Sequence, residues 1–217
     1  MKTLTSELIG QQLENRVLTE NQLARIITGT PQRRHHLVNR AMKAGELIRV
    51  RRGRYVLDRR LRDYPAHPFA LAQAFAAGSY VSFETALAHH GWIPEAVHTT
   101  ASVTPERKSF TAEHPVFGSF SFAPLALQPG HFLERVERLE LDQQAALVAR
   151  PLRALMDLVC LQKQEWQGME WLTEGLRIED EQLRRTTSAD IRSLRSIYKH
   201  RRMQTFLTAF ARELGND

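Results

Sequence analysis

"RVRRGRYVL", Arg49 to Leu57, sets four arginines within six positions around one glycine and follows them with an aromatic and aliphatic run. A solvated surface hairpin, a membrane-facing basic patch and a nucleic-acid-binding element are all written with these residue types, so the surroundings decide between them. Taking Arg52-Gly53 as a two-residue turn pairs position 51 with 54, 50 with 55, 49 with 56 and 48 with 57. This register gathers Ile48, Val50, Tyr55 and Leu57 on one face and sets Arg49, Arg51 and Arg54 with Val56 on the other. It also places Arg51 opposite Arg54, a like-charge pair that weakens an isolated hairpin by roughly a few tenths of a kcal/mol. An anion between the two removes that penalty.

Three helix signals precede the hairpin. Leu4, Leu8, Ile9 and Leu13 keep helical spacing and predict a first helix over residues 4–15. Thr19 followed by Gln22 reads as a capping box before Leu23, Ile26 and Ile27, and Gly29 closes this short helix. Thr30-Pro31 opens the third, with threonine as N-cap, proline at the first helical position and Gly45 just past the end. On a helical wheel Leu37, Val38, Ala41 and Met42 form one face of this helix, with Arg34 on the same side. Gln32, Arg33, His36, Asn39, Arg40 and Lys43 form the other, which contains no acid. Such a face is either a solvated exterior or a recognition helix, whose donors and acceptors match base edges in a major groove. Helix, helix, capped helix and basic hairpin is the order of a winged helix-turn-helix. In that reading Arg49, Arg51, Arg52 and Arg54 are wing residues that meet phosphates while the third helix enters the major groove.

The charge distribution supports a polyanion partner. Residues 1–64 hold 14 Lys/Arg against 6 Asp/Glu, a net +8, whereas the remainder holds 16 against 18, a net −2, which accounts for the overall +6. With 42% apolar and 25% charged residues in 217, the chain has the composition of a globular protein and not of a disordered one. It lacks an apolar run of the roughly 18 residues a membrane span requires, and its polar start "MKTLTSELIGQQLENRV" does not resemble a signal peptide. The expectation is a cytoplasmic protein without a membrane partner. The single cysteine, Cys160, lies in the apolar pattern "LMDLVCL" and reads as a small buried hydrophobe.

"DRRLRDYPAHP", Asp58 to Pro68, is charged and carries two prolines, which predicts a boundary there. The expected organisation is an α+β chain: a winged helix-turn-helix DNA-binding domain over 1–62, a mixed α/β domain over 63–162 and a helical C-terminal extension over 163–217 packed on it. "FALAQAFAAG" reads as a helix ended by Gly78, and "SFETALAHHGW" as another with Ser82 as N-cap and Gly91 as C-cap. Val97, Thr99, Ala101 and Val103 alternate as in a strand, as do Phe120 and Phe122 after a turn at "EHPVFG". "AALVARPLRALMDLVCL" reads as a buried strand running into a helix with Pro151 in its first turn and Leu152, Leu155, Met156 and Val159 facing a core. Toward the C-terminus, Thr187 and Asp190 form a capping pair, and Met203, Phe206, Leu207, Phe210 and Leu214 form an apolar stripe that reads as intrachain core, with a dimer contact as the alternative. The basic "YKHRRMQ" reads as a helix end whose cations complement the dipole.

Taken together, "LVNRAMKAGELIRVRRGRYVL", "GSYVSFETALAHHGWIPEAV", "SVTPERKSF", "FGSFSF" and "ARPLRALMDLV" resemble the AbiEi family, the antitoxins and transcriptional regulators of type IV toxin–antitoxin systems. The blocks run in the family's order from about residue 5 to 162, and "LRIEDEQL" with the closing helices resembles the tail of longer members. The resemblance implies a winged-helix domain that binds double-stranded DNA at the promoter of its own operon, at inverted repeats and as a homodimer. It also implies a C-terminal domain needed to antagonise a nucleotidyltransferase-like toxin. It carries over no catalytic residue and no cofactor. The DNA-facing positions it implies are the third helix, Gln32 to Lys43, and the wing arginines Arg49, Arg51, Arg52 and Arg54. A stand-alone winged-helix repressor with a sensing domain is the alternative of the same class.

One stretch invites an enzymatic reading. Glu106-Arg107-Lys108 follows the alternating strand, and Glu-x-Lys on a strand is a pattern of metal-dependent DNA nucleases. Such a site needs a further carboxylate for Mg²⁺, with Glu84 and Asp63 as candidate donors, and a lysine close to the attacked phosphate. A charged surface turn is the competing reading. His35 and His36 read as one partly buried and one surface residue, with no cysteine or acidic cluster near enough to make a metal site. No Gly-x-Ser-x-Gly elbow, Gly-rich phosphate loop or His-Glu-x-x-His occurs. The expectation is a binding protein, not an enzyme, without metal or cofactor.

Overall fold

Threonine caps start the N-terminal helices. In the computed structural model, which describes residues 3–215, Thr3 accepts a hydrogen bond from Ser6 N and opens α1 (Leu4–Gly10). After β1 (Leu18–Thr19), Thr19 and Gln22 form the expected capping box of α2 (Glu20–Ile26), and Thr30 caps α3 (Pro31–Lys43). The hairpin β2 (Leu47–Arg51) and β3 (Arg54–Leu57) follows, and β1 completes an antiparallel three-stranded sheet in the order β1-β3-β2. Leu4, Leu8, Leu18, Leu23, Ile27, Val38, Ala41, Leu47 and Leu57 make one buried cluster beneath these elements.

Two expectations need correction here. α1 stops at Gly10 and not at residue 15, because the chain reverses at Gln12, which takes a left-handed φ of 57°, and Leu13 N bonds back to Leu8 O at 3.0 Å. Ile9, placed on the apolar face by spacing, is consequently exposed. In the hairpin, Arg51 does face Arg54, but a bulge between Arg49 and Arg51 shifts the rest by one: Arg49 opposes Tyr55, Ile48 opposes Val56 and Leu47 opposes Leu57. The extra residue breaks the period of two, so Leu47 and Val50 are both buried while Arg49 and Arg51 stay exposed. Val56, expected beside the arginines, is fully buried.

The stretch expected as a linker is fastened down. Arg62 is buried and donates to Asn15 O at 2.9 Å, Gln144 Oε1 at 3.1 Å and Tyr64 O at 3.1 Å. Asn15 in turn donates to Asp63 Oδ2 at 3.0 Å and accepts from Asp63 N and Tyr64 N. Next, α4 (Pro68–Phe75) packs on β2. The first compact unit therefore runs on to Ala77 and also takes in His114–Phe117 and Leu139–Ala146, so the boundary expected between 62 and 63 falls inside it.

The second unit comprises Gly78–Glu113, Gly118–Arg138 and the chain from Leu147 onward. The C-terminal helices belong to this same unit. In chain order come β4 (Tyr80–Val81), α5 (Phe83–His89), β5 (Thr99–Val103), β6 (Phe110–His114), β7 (Gly118–Ala123), β8 (Val136–Leu141), β9 (Gln144–Ala149) and α6 (Pro151–Gln162). A π-helical turn (Trp171–Gly175), α7 (Asp180–Arg184), α8 (Ser188–Arg195) and α9 (Arg201–Glu213) follow. The chain is thus mixed α+β, with a six-stranded sheet in the order β6-β7-β5-β4-β9-β8. β5 runs parallel to β7 and antiparallel to β4 as an interior strand, which is why Thr100 and Ser102 are buried as well as Val103, and Val97 lies before the strand. Phe120 and Phe122 are buried as their alternation predicts, and so are Met203, Phe206, Leu207 and Phe210 of α9. Among the described residues no helix is long and apolar enough to cross a membrane.

At the centre of the second unit lies an ion pair that hydrophobic periodicity does not announce. Arg153 and Asp157, one turn apart on α6 and both 0% exposed, meet at 2.8 Å. Asp157 also accepts from Tyr198 OH at 2.7 Å, Ser82 Oγ at 2.8 Å and Tyr80 OH at 3.0 Å. Arg153 further donates to Tyr80 OH and to Glu134 O, both at 2.6 Å. Burial opposes the Arg153 charge, but the attraction of Asp157 and the flanking tyrosines outweighs it and raises its pKa. Ser82 occupies the N-cap position of α5 yet caps nothing, because its hydroxyl serves Asp157. The basic "YKHRRMQ" is also corrected: Arg201 and Arg202 open α9, where cations oppose its dipole. Arg202 instead donates to Val159 O and Cys160 O at 3.3 Å and to Gln164 O at 3.1 Å, complementing the C-terminal end of α6. Cys160 is buried as expected, and burial pushes its thiol up to about 11.

Asp157→Ala leaves a buried guanidinium without its counterion, and urea denaturation should show a loss of about 3–5 kcal/mol. A loss below about 1 kcal/mol, ordinary for a point substitution, contradicts the central role assigned to the pair. Burial, with Asp157 adding, holds the Tyr80 and Tyr198 phenols well above their ordinary pKa. Both stay protonated in the folded chain where an unfolded tyrosine ionises, near pH 10. The unfolded state then binds fewer protons, so the denaturation midpoint should fall as pH rises past about 10, and less steeply in Tyr198→Phe.

Candidate nucleic-acid interface

α3 is held by one face and open on the other. Thr30 Oγ1 accepts from Arg33 N at 3.2 Å, Pro31 occupies the first turn and Gly45 adopts a φ of 68° just past the end. Val38 and Ala41 are buried and Leu37 and Met42 pack against the same cluster. On the opposite side Gln32, Arg33, His36, Arg40 and Lys43 are exposed, with Asn39 and Arg34 half-buried. The six expected recognition residues therefore lie on one helix, five of them open to solvent. His35 is exposed as well, contrary to the expectation of a partly buried residue, because it falls on the open side and pairs along the helix with Asn39, Nε2 to Nδ2 at 2.8 Å.

The hairpin turn is fixed against the start of α2. Gly53 O accepts from Glu20 N at 3.0 Å, and a Cβ on Gly53, whose φ is 73°, would lie 3.3 Å from Glu20 Oε2. Arg49 is exposed; its carbonyl lies 3.2 Å from His114 Nε2, which makes that nitrogen the donor. Arg52 is exposed at the turn. Arg51 donates to Phe75 O at the C-terminal end of α4, and Arg54 donates to Gly53 O at 3.1 Å. The like-charged Arg51 and Arg54 are thus each engaged by a backbone carbonyl. Arg49 and Arg52 are the hairpin arginines whose guanidinium groups make no hydrogen bond among the described residues. The Phe75 carbonyl had no signature in the sequence, since every residue carries one and only the fold brings this one to Arg51.

The electrostatics of the surface are one-sided. Among the described residues none of Arg33, Arg34, Arg40, Lys43, Arg49, Arg51, Arg52 and Arg54 forms a salt bridge. Buried Arg62 adds a cation with no carboxylate partner among the described residues; burial, with Arg59 nearby, lowers its pKa to about 10, still fully charged at neutral pH. By contrast Glu106 and Lys108 lie in an exposed loop between β5 and β6, and Asp63 is engaged by Asn15. Among the described residues no three His, Cys, Asp or Glu side chains gather in a group able to hold a metal ion.

No protein-family model matches the chain, and comparison with the curated proteins gives no match.

Because α3 separates holding residues from open ones, stability and surface chemistry should separate too. Thr30→Ala should lower thermal stability by about 1 kcal/mol through the lost cap. Arg40→Ala and Lys43→Ala should stay within about 0.5 kcal/mol of the parent. A large destabilisation by either of the latter would show that the open face is in contact with the rest of the fold.

Proposed function

We propose that the first unit is a winged helix-turn-helix that binds double-stranded DNA, and that the chain is a transcriptional autoregulator of the AbiEi antitoxin type. In this reading it represses its own operon and counteracts a nucleotidyltransferase-like toxin. The observation that carries it is the open face of α3, where Gln32, Arg33, His36, Arg40 and Lys43 stand exposed with no ion pair among the described residues. Cations left uncompensated on a rigid helix gain from displacing the counterions of a polyanion, and guanidinium, amide and imidazole groups match base edges in a major groove.

The order of α1, α2, α3 and the β2–β3 hairpin, with β1 completing the small sheet, supports the same reading. Arg49 and Arg52 are the wing residues that reach phosphate directly, while Arg51 and Arg54 do so on leaving Phe75 O and Gly53 O. A homodimer on inverted repeats is the arrangement by which such modules read palindromic sites. The antitoxin role rests on the order of the sequence blocks that resemble the family.

Fluorescence anisotropy on the DNA upstream of the gene tests the proposal, and failure to bind any duplex at low salt defeats it. Arg49→Ala with Arg52→Ala should weaken binding to every sequence and reduce the slope of log K against log salt by about 0.9 per lost phosphate contact. An unchanged slope removes the wing assignment. Gln32→Ala, His36→Ala or Arg40→Ala should weaken the preferred site by roughly 1–3 kcal/mol per base contact and spare random DNA. Equal losses on both would show that α3 reads no bases.

A further inference from the structure

In the second unit a cavity of about 210 Å³ opens at the first turn of α6. Four arginines line it, Arg135, Arg150, Arg153 and Arg185, against one carboxylate, Asp190. The backbone brings two of them together, since Arg150 N donates to Arg135 O at 2.9 Å. Arg135 is pre-organised: Nε donates to Ser193 Oγ at 2.8 Å and Nη1 lies 3.0 Å from Asp190 Oδ1, leaving Nη2 without a partner among the described residues. Arg150 is 54% exposed and approaches Glu137 only to 3.5 Å, and Arg185 is 74% exposed and pairs along its own helix with Glu181 at 2.7 Å. Exposed pairs of this kind hold weakly, so both side chains are free to turn toward an incoming anion.

A second observation is independent of charge. Gln182, on the wall of the cavity, donates through Nε2 to Gly91 O at 2.8 Å, while its Oε1 is buried with no hydrogen-bond partner among the described residues. A buried acceptor left unpaired is unfavourable and is satisfied by a ligand donor. Trp92 supplies an aromatic wall. We propose that the cavity binds a small ligand with a phosphate monoester and a planar ring bearing an N–H donor, the chemical class of the 5′-mononucleotides. The phosphate meets Arg135, Arg150 and Arg185, the ring lies on Trp92, and the ring N–H donates to Gln182 Oε1. This site does not depend on the DNA-binding reading.

Isothermal titration of the full chain with guanosine 5′-monophosphate, guanosine and inorganic phosphate tests the site. The nucleotide should bind saturably, with guanosine and phosphate each weaker by about tenfold or more. Arg150→Gln with Arg185→Gln changes two exposed side chains, and at an unchanged melting temperature it should raise the nucleotide Kd by about tenfold. Gln182→Leu should weaken the nucleotide and leave inorganic phosphate unaffected. No saturable binding at millimolar nucleotide, or binding indifferent to the double substitution, overturns the site. Equal affinity for nucleotide and inorganic phosphate overturns the ring contacts.

Discussion

A charge taken fully out of water dictates what surrounds it. Arg153 and Asp157 are such charges, and neither is tolerated in an apolar interior unless its partner and its remaining lone pairs and protons are satisfied. Asp157 therefore collects hydroxyls from β4, from the start of α5 and from Tyr198, and Arg153 collects carbonyls from the segment before β8. The Tyr80 and Tyr198 rings lie against the guanidinium with its carbon 5.3 Å and 5.6 Å from their centroids. Segments distant in sequence must converge on one turn of α6 for this to hold. The arrangement of the second unit follows from that requirement as much as from its aliphatic side chains.

The opposite arrangement governs α3 and the hairpin. There the cations are exposed or half-buried and form no salt bridge among the described residues, while the apolar face of the helix packs on the core. Repulsion among them is tolerable in water, which screens charges on an exposed surface. Two of the hairpin arginines soften the repulsion locally by resting on backbone carbonyls, a weaker commitment than an ion pair.

What the sequence made legible is largely what is local. The caps at Thr19, Thr30 and Thr187 act within three residues of themselves, and all three form. The open face of α3 follows from helical period alone. The hairpin's turn was legible but its register was not: the bulge between Arg49 and Arg51 goes with the burial of both Leu47 and Val50, which the local alternation does not encode. The same holds for Arg153 and Asp157. Their spacing marks an ion pair on a helix, yet such pairs are ordinarily solvated, and here Tyr80, Ser82, Tyr198 and the Glu134 carbonyl satisfy the buried pair. Gln182 and Trp92 share a cavity with the arginines, and nothing in their immediate sequence neighbours distinguishes them.

Asn15, Arg62 and Gln144 carry a consequence for modularity. Arg62 rests on Gln144, and Asn15 on Gln143 at 3.2 Å, so the unit bearing α3 is completed by residues contributed far along the chain. A gene fragment ending at residue 77 would encode all of α3 and the hairpin but omit those glutamines, leaving a buried guanidinium short of an acceptor. Recombination or domain transplantation that respects linear order would break what three dimensions join. The unit that carries the basic surface is therefore discontinuous in sequence, and no single uninterrupted stretch of the chain encodes it.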